Sequence, residues 1–436
     1  MKKKVYLAYS GCNRRGLDAQ RLSNYFLKNN YKIILKPEEA DYIIYITCGA
    51  TLLAIKDCFS KIKIFQKEYD AELIVAGCLP TIQPKQLAKI FNGKTIKTED
   101  LVKNPDKVDR LFPEINIKFR EIKDANSVML TPAENQNFIK NFQRIIQNIK
   151  NTPTMDKKST FFTLIFQIQI INRLLNQVIN YFLDKDSFLY DLFNKDKNFI
   201  IRHSWGCTGN CSYCGIKKAV GPHISKSIEI CVNEFKEGIS LGYKTFLLSG
   251  DDTGAYGIDN RSSFPELLYK IIRLKETQYE IEIKGLNPVW MVKYIDDLEK
   301  ILKTQRINKI SCPIQSASSR ILTLMNRYNN VEKIKEGFLR LKKAYPKIKF
   351  STHILLGFPT ETMEDLEKTI SFLDDIEFDY ILIFTYVEIP GAKSEKIEPK
   401  IPKDIIEERL KYLKKHLKKE GYKSIFLGGM GAFYKR

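Results

Sequence analysis

Short apolar runs alternate with helical patterns at the start of the chain. The runs lie at residues 5–9, 42–46 and 73–76, and apolar positions with helical spacing lie between them at 18–28 and 50–69. Nearly continuous apolar strands that alternate with helices are typical of a parallel sheet covered on both faces. The pattern therefore predicts an α/β fold for the first part of the chain.

The same alternation returns in the second half of the chain. Six strand-like runs, separated by helical patterns, lie at 199–203, 245–249, 279–284, 307–314, 348–356 and 380–386. Repeated strand–helix units of this length predict a partial (β/α) barrel. In such barrels the functional side chains lie at the carboxyl ends of the strands.

The middle of the chain, from about 94 to 198, does not follow this alternation. Residues 138–150 and 160–183 show helical spacing, with an apolar stripe from Phe161 to Ile179. Three interpretations remain open for this helical insertion: a cap or docking arm for a substrate, an extra helical pair packed on the barrel, or a dimer surface.

Three cysteines follow the first barrel strand in a glycine-containing loop. Cys207, Cys211 and Cys214, called the barrel cysteines below, have the spacing C-x3-C-x2-C. Thiolates select soft metals and iron–sulfur clusters. Because a structural zinc ion needs four ligands, three thiolates indicate a [4Fe–4S] cluster with one iron open to an outside ligand. The alternatives are a zinc knuckle and chance clustering.

A second set of cysteines follows the three N-terminal apolar runs. Cys12, Cys48 and Cys78, called the N-terminal cysteines below, each come just after a predicted strand. Since the carboxyl ends of parallel strands share one edge of the sheet, we expect these thiols to hold a second cluster. The remaining three cysteines fit no cluster spacing and are interpreted as structural: Cys58, Cys231 and Cys312.

Composition adds limits on the partners and the compartment. The 436-residue chain has a formal net charge of +20, which indicates either a polyanionic partner or only a solvated, lysine-rich surface. Nine cysteines and an N-terminus without a secretory pattern predict a reducing, cytoplasmic location. No apolar run is long enough to predict a membrane span.

These motifs resemble those of the radical S-adenosylmethionine methylthiotransferases. The resemblance rests on Gly11-Cys12, Thr47-Cys48, Gly77-Cys78 and the loop of the barrel cysteines, and it covers about 1–95 and 198–410. It implies a flavodoxin-like N-terminal domain and a partial (β/α)6 barrel. It also implies two [4Fe–4S] clusters, S-adenosylmethionine, sulfur from the second cluster or from bound sulfide, and a reductant such as flavodoxin or ferredoxin.

The resemblance also gives domain boundaries and departures. We expect a cluster domain at 1–95, a linker and helical insertion at 96–197, the barrel at 198–390, and a basic C-terminal helix and tail at 391–436, the helix running from Ile405 to Glu420. That tail is too short for the β-barrel of TRAM type that follows in relatives. Arg15 and Ile46 stand where the family usually has Asn.

Cofactor-binding residues are expected at the ends of the barrel strands. The resemblance implies that the loop with Asp251 and Asp252 receives the methionyl amino group, and an Asx turn is the less favoured alternative for these residues. Arg327 either binds an anionic or polar group near the site or forms a salt bridge at a helix cap. His353 is interpreted as a packing residue. The other residues assigned to the cofactor are Tyr213, Ser249, Gly250, Gln315, Ser316, Gly357 and Pro359.

The substrate is the least determined feature. The insertion, the short tail and the departures near the N-terminal cysteines favour methylthiolation of a peptide or protein, such as a precursor peptide. The basic charge and the run from Asp252 to Gly257 favour tRNA carrying threonylcarbamoyl-adenosine. Two further alternatives are a two-cluster enzyme of peptide maturation without thiolation and a catalytically silent RNA- or peptide-binding relative. The oligomeric state is not predicted.

Overall fold

The computed structural model describes residues 2–49, 52–128, 198–274, 278–427 and 430–435. The predicted helical insertion at 138–183 lies outside these residues. Within the described parts, the chain forms an N-terminal parallel sheet with flanking helices and a larger sheet that continues from residue 198.

The N-terminal sheet contains five parallel strands in the order β2-β1-β3-β4-β5. Its strands are β1 (Lys4–Tyr9), β2 (Lys32–Ile34), β3 (Tyr42–Thr47), β4 (Glu72–Gly77) and β5 (Thr95–Lys97). The three predicted strands are the central ones, because their apolar side chains are buried on both faces. The two short edge strands were not predicted from the pattern.

Helices α1 (Asn13–Lys28) and α2 (Leu52–Glu68) cover this sheet, as the helical spacing predicted. Short helices follow the last strands: α3 (Leu79–Ile82), α4 (Pro84–Ala88), α5 (Asp100–Lys103) and α6 (Asp106–Asp109). The segment after β5 packs on the sheet, because Leu101, Phe112 and Phe119 are buried in the same core as β1 and α1. The same core also contains Ile200 and Leu247 of the barrel strands, and the domain boundaries expected from the sequence stay predictions.

The predicted barrel strands are all present and run parallel to one another. They are β6 (Asn198–Arg202), β9 (Thr245–Ser249), β10 (Glu280–Lys284), β11 (Ile307–Ser311), β12 (Lys349–Leu356) and β13 (Tyr380–Thr385). A two-stranded hairpin of β7 (Ser204–Trp205) and β8 (Ile224–Ser225) flanks the loop of the barrel cysteines. The α/β fold class with a partial barrel is confirmed.

Helices alternate with these strands along the chain. They are α7 (Ile216–Val220), α8 (Ile228–Ser240), α9 (Phe264–Ile272), α10 (Pro288–Lys293), α11 (Ile295–Leu302), α12 (Ser319–Leu324), α13 (Val331–Ala344), α14 (Met363–Ile376) and α15 (Lys403–Lys419). Most of them form one large core with the strands, whereas α7 packs against α3 of the N-terminal domain and α12 belongs to a smaller cluster with Phe358. In the described parts of the chain, no helix combines the length and apolar character needed to cross a bilayer.

The C-terminal tail extends the barrel sheet. After α15 the chain forms β14 (Lys423–Leu427) and β15 (Met430–Tyr434), and β15 pairs antiparallel with β13. The described sheet therefore has eight strands in the order β14-β15-β13-β12-β11-β10-β9-β6. The sequence pattern predicted the basic helix but not this hairpin.

Candidate active site

The barrel cysteines lie in the loop between β7 and α7, beyond the carboxyl end of β6. Gly206 opens this loop with φ +74°, and a Cβ there would lie 2.0 Å from the carbonyl oxygen of Pro222. Only glycine tolerates that conformation and that close backbone approach. Local sequence therefore determines how the loop leaves the hairpin.

The three barrel thiols share one small region. Burial, together with the carboxylate of Asp252, raises the pKa of Cys207, and the thiols of Cys214 and Cys211 raise it further. The backbone N–H of Gly209 lies 3.3 Å from Cys207 Sγ, and Nη1 of Arg327 lies 3.5 Å from Cys211 Sγ. These donors would stabilise thiolates, which are the ligand form of cysteine.

Asp252 fixes the cysteine loop to the barrel. Its Oδ2 accepts hydrogen bonds from Thr208 Oγ1 at 2.6 Å and from Thr208 N at 3.2 Å. Its Oδ1 accepts one from Trp290 Nε1 at 2.9 Å. Because both oxygens already have protein partners, Asp252 holds the loop in place, a role that the sequence pattern did not indicate.

Asp251 connects the loop to the N-terminal domain. Its Oδ1 lies 2.8 Å from Nε of Arg14, and its Oδ2 accepts a hydrogen bond from the N–H of Gly206 at 3.0 Å. Nη1 of Arg14 also donates to the carbonyl oxygen of Gly250 at 3.1 Å. The assignment of Asp251, Asp252 and Gly250 to the cofactor stays a prediction, since their polar groups make these contacts within the protein.

The end of the fourth barrel strand carries an unusual backbone conformation. Gln315 has φ +71°, and its N–H donates to the carbonyl oxygen of His353 at 2.8 Å. A non-glycine residue in the left-handed region is strained and is often found at functional sites. Burial, with smaller effects of Lys284 and Arg327, lowers the pKa of His353 to about 4. The imidazole is therefore neutral at pH 7.

Other predicted cofactor residues make contacts inside the protein. Ser316 Oγ lies 3.4 Å from Thr369 Oγ1. A Cβ on Gly357 would lie 2.6 Å from Ile406 of α15, so that helix accounts for the glycine. Ser249, Pro359 and Tyr213 are buried or half-buried, and the ring of Tyr213 meets that of Phe358 edge to face.

The N-terminal cysteines converge at one edge of the first sheet. Thr47 and Gly77, which precede Cys48 and Cys78, are direct partners in the parallel register of β3 and β4. A Cβ on Gly11 would lie 3.0 Å from Cys48 Sγ, which places the turn before Cys12 against Cys48. Cys12 and Cys78 also influence each other electrostatically.

Two arginines lie beside these thiols. Nη1 of Arg15 lies 3.6 Å from Cys78 Sγ, and its Nη2 lies 3.0 Å from Oδ2 of Asp18. Desolvation raises the pKa of Cys12, but Arg14 and Arg15 outweigh it and lower the pKa below its usual value. Sequence reasoning noted Arg15 as a departure from the family pattern without assigning it a role.

Buried charges join the two domains. Nη1 of Arg202, in the first barrel strand, lies 2.6 Å from Oδ1 of Asp18 in α1, and Nη2 pairs with Asp124. Nζ of Lys226 lies 3.1 Å from Asp124 and 2.7 Å from Glu234. Together with the pair of Arg14 and Asp251, these contacts hold the two cysteine sites against one domain interface.

The two sets of thiols are the candidate ligands of this region. Among the described residues, no group of three His, Cys, Asp or Glu side chains is gathered closely enough to hold a metal ion. Each site offers three soft thiol ligands, and cationic or N–H donors lie within 3.6 Å of a sulfur. Hydrogen bonds to sulfur are among the features that tune such clusters.

Comparisons with known families agree with this geometry. The family described as "Radical SAM superfamily" matches residues 201–373, and the family described as "Uncharacterized protein family UPF0004" matches residues 4–97. The first range contains the barrel cysteines, and the second contains the N-terminal cysteines.

Several curated proteins are similar over most of the chain. A probable threonylcarbamoyladenosine tRNA methylthiotransferase of Pyrococcus horikoshii is 25% identical, over 94% of this chain and 83% of that protein. A tRNA-2-methylthio-N(6)-dimethylallyladenosine synthase of Clostridium botulinum is 28% identical, over 92% and 79%. A ribosomal protein uS12 methylthiotransferase (RimO) of Nitratiruptor sp. is 27% identical, over 98% and 83%.

A solved structure shares the fold. The radical S-adenosylmethionine methyltransferase TsrM of Kitasatospora setae superposes with a TM-score of 0.57 at 10% identity, over 90% of this chain and 77% of that chain. At this identity the likeness concerns the fold alone.

Proposed function

The chain belongs to the radical S-adenosylmethionine methylthiotransferases, and we propose that its substrate is tRNA, in which it replaces a hydrogen of an N6-modified adenosine by a methylthio group. It is an enzyme that transfers sulfur-containing groups. It uses S-adenosylmethionine and [4Fe–4S] clusters, of which two are typical of the family.

The choice of tRNA as the substrate is based on the names of the relatives. Two of the three named above act, by their names, on a modified adenosine of tRNA. The formal net charge of +20 agrees with a polyanionic substrate. The sequence favoured a peptide or protein substrate; one of the three relatives is named for a ribosomal protein and none for a free peptide, so we prefer the tRNA alternative.

We assign one cluster to each set of three cysteines. The barrel cysteines would hold the cluster whose open iron binds S-adenosylmethionine, and the N-terminal cysteines would hold the second. With its cofactor bound, such a barrel cluster supplies hydrogen-atom abstraction from an unactivated C–H bond, a step that side chains alone do not perform.

The chain's own residues would position these groups. Asp252 and Trp290 fix the loop of the barrel cysteines, and Arg327 directs an N–H at Cys211. The pair of Arg14 and Asp251 holds the second cysteine site against that loop. We propose that this fixed juxtaposition lets one bound adenosine reach both the barrel site and the sulfur source.

The test is nucleoside mass spectrometry of tRNA. The chain is expressed in a host whose own tRNA methylthiotransferase genes are deleted, beside a variant with the barrel cysteines changed to alanine. The methylthio derivative of threonylcarbamoyladenosine or dimethylallyladenosine should appear only with the unchanged chain. C231A is the matched control, because this cysteine is buried in the barrel core away from both sites, and it should retain the product.

A protein substrate is the second candidate. The uS12 methylthiotransferase of Nitratiruptor sp. matches 98% of this chain, more than either tRNA enzyme named above. A methylthio mark on a ribosomal protein, with none on tRNA, would overturn the tRNA proposal and leave the reaction type intact. The reductant, such as flavodoxin or ferredoxin, and the cytoplasmic location stay predictions.

A further inference from the structure

Arg15 is a buried cation inside the N-terminal cysteine site. Its side chain is 2% exposed. Nη1 lies 3.6 Å from Cys78 Sγ and also bonds Thr98 Oγ1. Nη2 lies 3.0 Å from Asp18. These contacts hold the guanidinium beside the thiols.

The guanidinium remains charged in this position. An arginine side chain does not deprotonate in proteins, and Asp18 at 3.0 Å compensates the burial of its charge. Nε of Arg15 is buried and has no hydrogen-bond partner among the described residues. The side chain therefore keeps hydrogen-bonding capacity beyond what its protein partners use.

The surrounding charges do not all cancel at the thiols. Asp18 pairs with Arg15 but also with Arg202, so its negative charge is shared between two guanidinium groups. Asp251 pairs with Arg14. Arg15 contacts the thiol of Cys78 directly, and Arg14 adds a second positive charge near Cys12.

We propose that Arg15 is a positioning residue that stabilises the reduced form of the cluster held by Cys12, Cys48 and Cys78, and so raises its reduction potential. Each electron that enters a cluster adds one negative charge to it. A fixed cation in a poorly solvated site favours that state, and nearby charge is one determinant of cluster potentials.

The effect depends on the charge of the residue at position 15. Asparagine or glutamine at this position would be neutral, whereas Arg15 is cationic. An arginine here adds a full charge at the thiols, so we expect a higher potential than the neutral residue would give. The inference depends on the cluster chemistry and not on the choice of tRNA.

The test is a redox titration that sees only this cluster. Changing the barrel cysteines to alanine removes the other cluster from the full-length chain. The midpoint potential of the remaining cluster is then measured by electron paramagnetic resonance, in this background and with R15Q, R15N and R15K added. We expect R15Q and R15N to titrate at a more negative potential, and R15K to stay near the parent because it keeps the charge.

R21Q is the matched control. Arg21 lies on the same helix, but its guanidinium donates to backbone oxygens of Leu101, Phe119 and Ile122, away from the thiols. R21Q should leave the potential unchanged. If R15Q fails to retain iron, R15N takes its place in the comparison with R15K.

Two results would overturn the proposal. One is a neutral variant that retains its iron and has the same midpoint potential as the parent. The other is an R15K variant displaced as far as R15Q, which would show that shape and not charge matters. No substrate is present in this titration, so a failure here is distinct from a failure of the tRNA proposal.

Discussion

The buried ion pairs of Arg202 give a sharp prediction about the domain interface. Arg202 is 1% exposed and bonds Asp18 of α1 and Asp124 of the segment that packs on the first sheet. Replacing it with leucine would leave both carboxylates buried with less compensation. We expect R202L to lower the free energy of unfolding substantially, because each of the two buried carboxylates would lose one of its cationic partners.

The magnitude follows from the partners that remain. Breaking a buried ion pair typically costs about 3–5 kcal/mol. In R202L, Asp18 would keep Arg15 at 3.0 Å and Asp124 would keep Lys226 at 3.1 Å. Because neither carboxylate is left without a cation, we expect the lower end, about 3 kcal/mol. R202K should lose less of the free energy of unfolding than R202L, because it keeps the charge. It should still lose some, since one ammonium group cannot bond both carboxylates as the guanidinium does.

The assay is urea unfolding followed by far-UV circular dichroism at pH 7. R120Q serves as the control, since the pair of Arg120 and Asp106 is more than half exposed on both sides, and water screens such a pair. R120Q should unfold at the same urea concentration as the parent. If R202L also unfolds at that concentration, the reasoning from buried charge is wrong.

Three further predictions concern the sites and one titrating group. Two clusters hold roughly eight irons. Alanine at all barrel cysteines should leave about half of this iron and abolish the formation of 5'-deoxyadenosine. Alanine at all N-terminal cysteines should spare the formation of 5'-deoxyadenosine but abolish sulfur insertion. An unmutated iron content near four would contradict this two-cluster assignment. G206A should prevent loading of the cluster on the barrel cysteines, because its Cβ would lie 2.0 Å from the carbonyl oxygen of Pro222. The iron content of the variant measures this loss. Burial raises the pKa of Glu361 to about 7 in the folded chain, so the protonated carboxyl favours folding. This contribution to the free energy of unfolding is complete below about pH 4.5, and roughly 3 kcal/mol of it should be lost as the pH rises through 7. A pH series of urea melts should show this slope in the parent and not in E361Q.

The sequence alone identified the chemistry. The spacing of the barrel cysteines after a strand indicated a three-thiolate cluster, because ligands close in sequence need only a short loop to converge. Apolar periodicity predicted the central strands of both sheets, since buried parallel strands have continuous apolar runs. Edge strands such as β2 and β5 are short and partly exposed, and the pattern therefore missed them.

The tertiary structure decided how polar residues are used. Asp251 and Asp252 follow a strand at the position where the sequence predicts a contact with the cofactor amine, and the folded chain adds partners from distant segments, Arg14 and Trp290. Likewise, Arg15 acquires its contacts only when α1 packs beside the end of β4, and Arg202 acquires its contact with Asp18 only when α1 meets the barrel. The energy of a charge depends on burial and on its partners, and these are properties of the folded chain that local sequence does not contain.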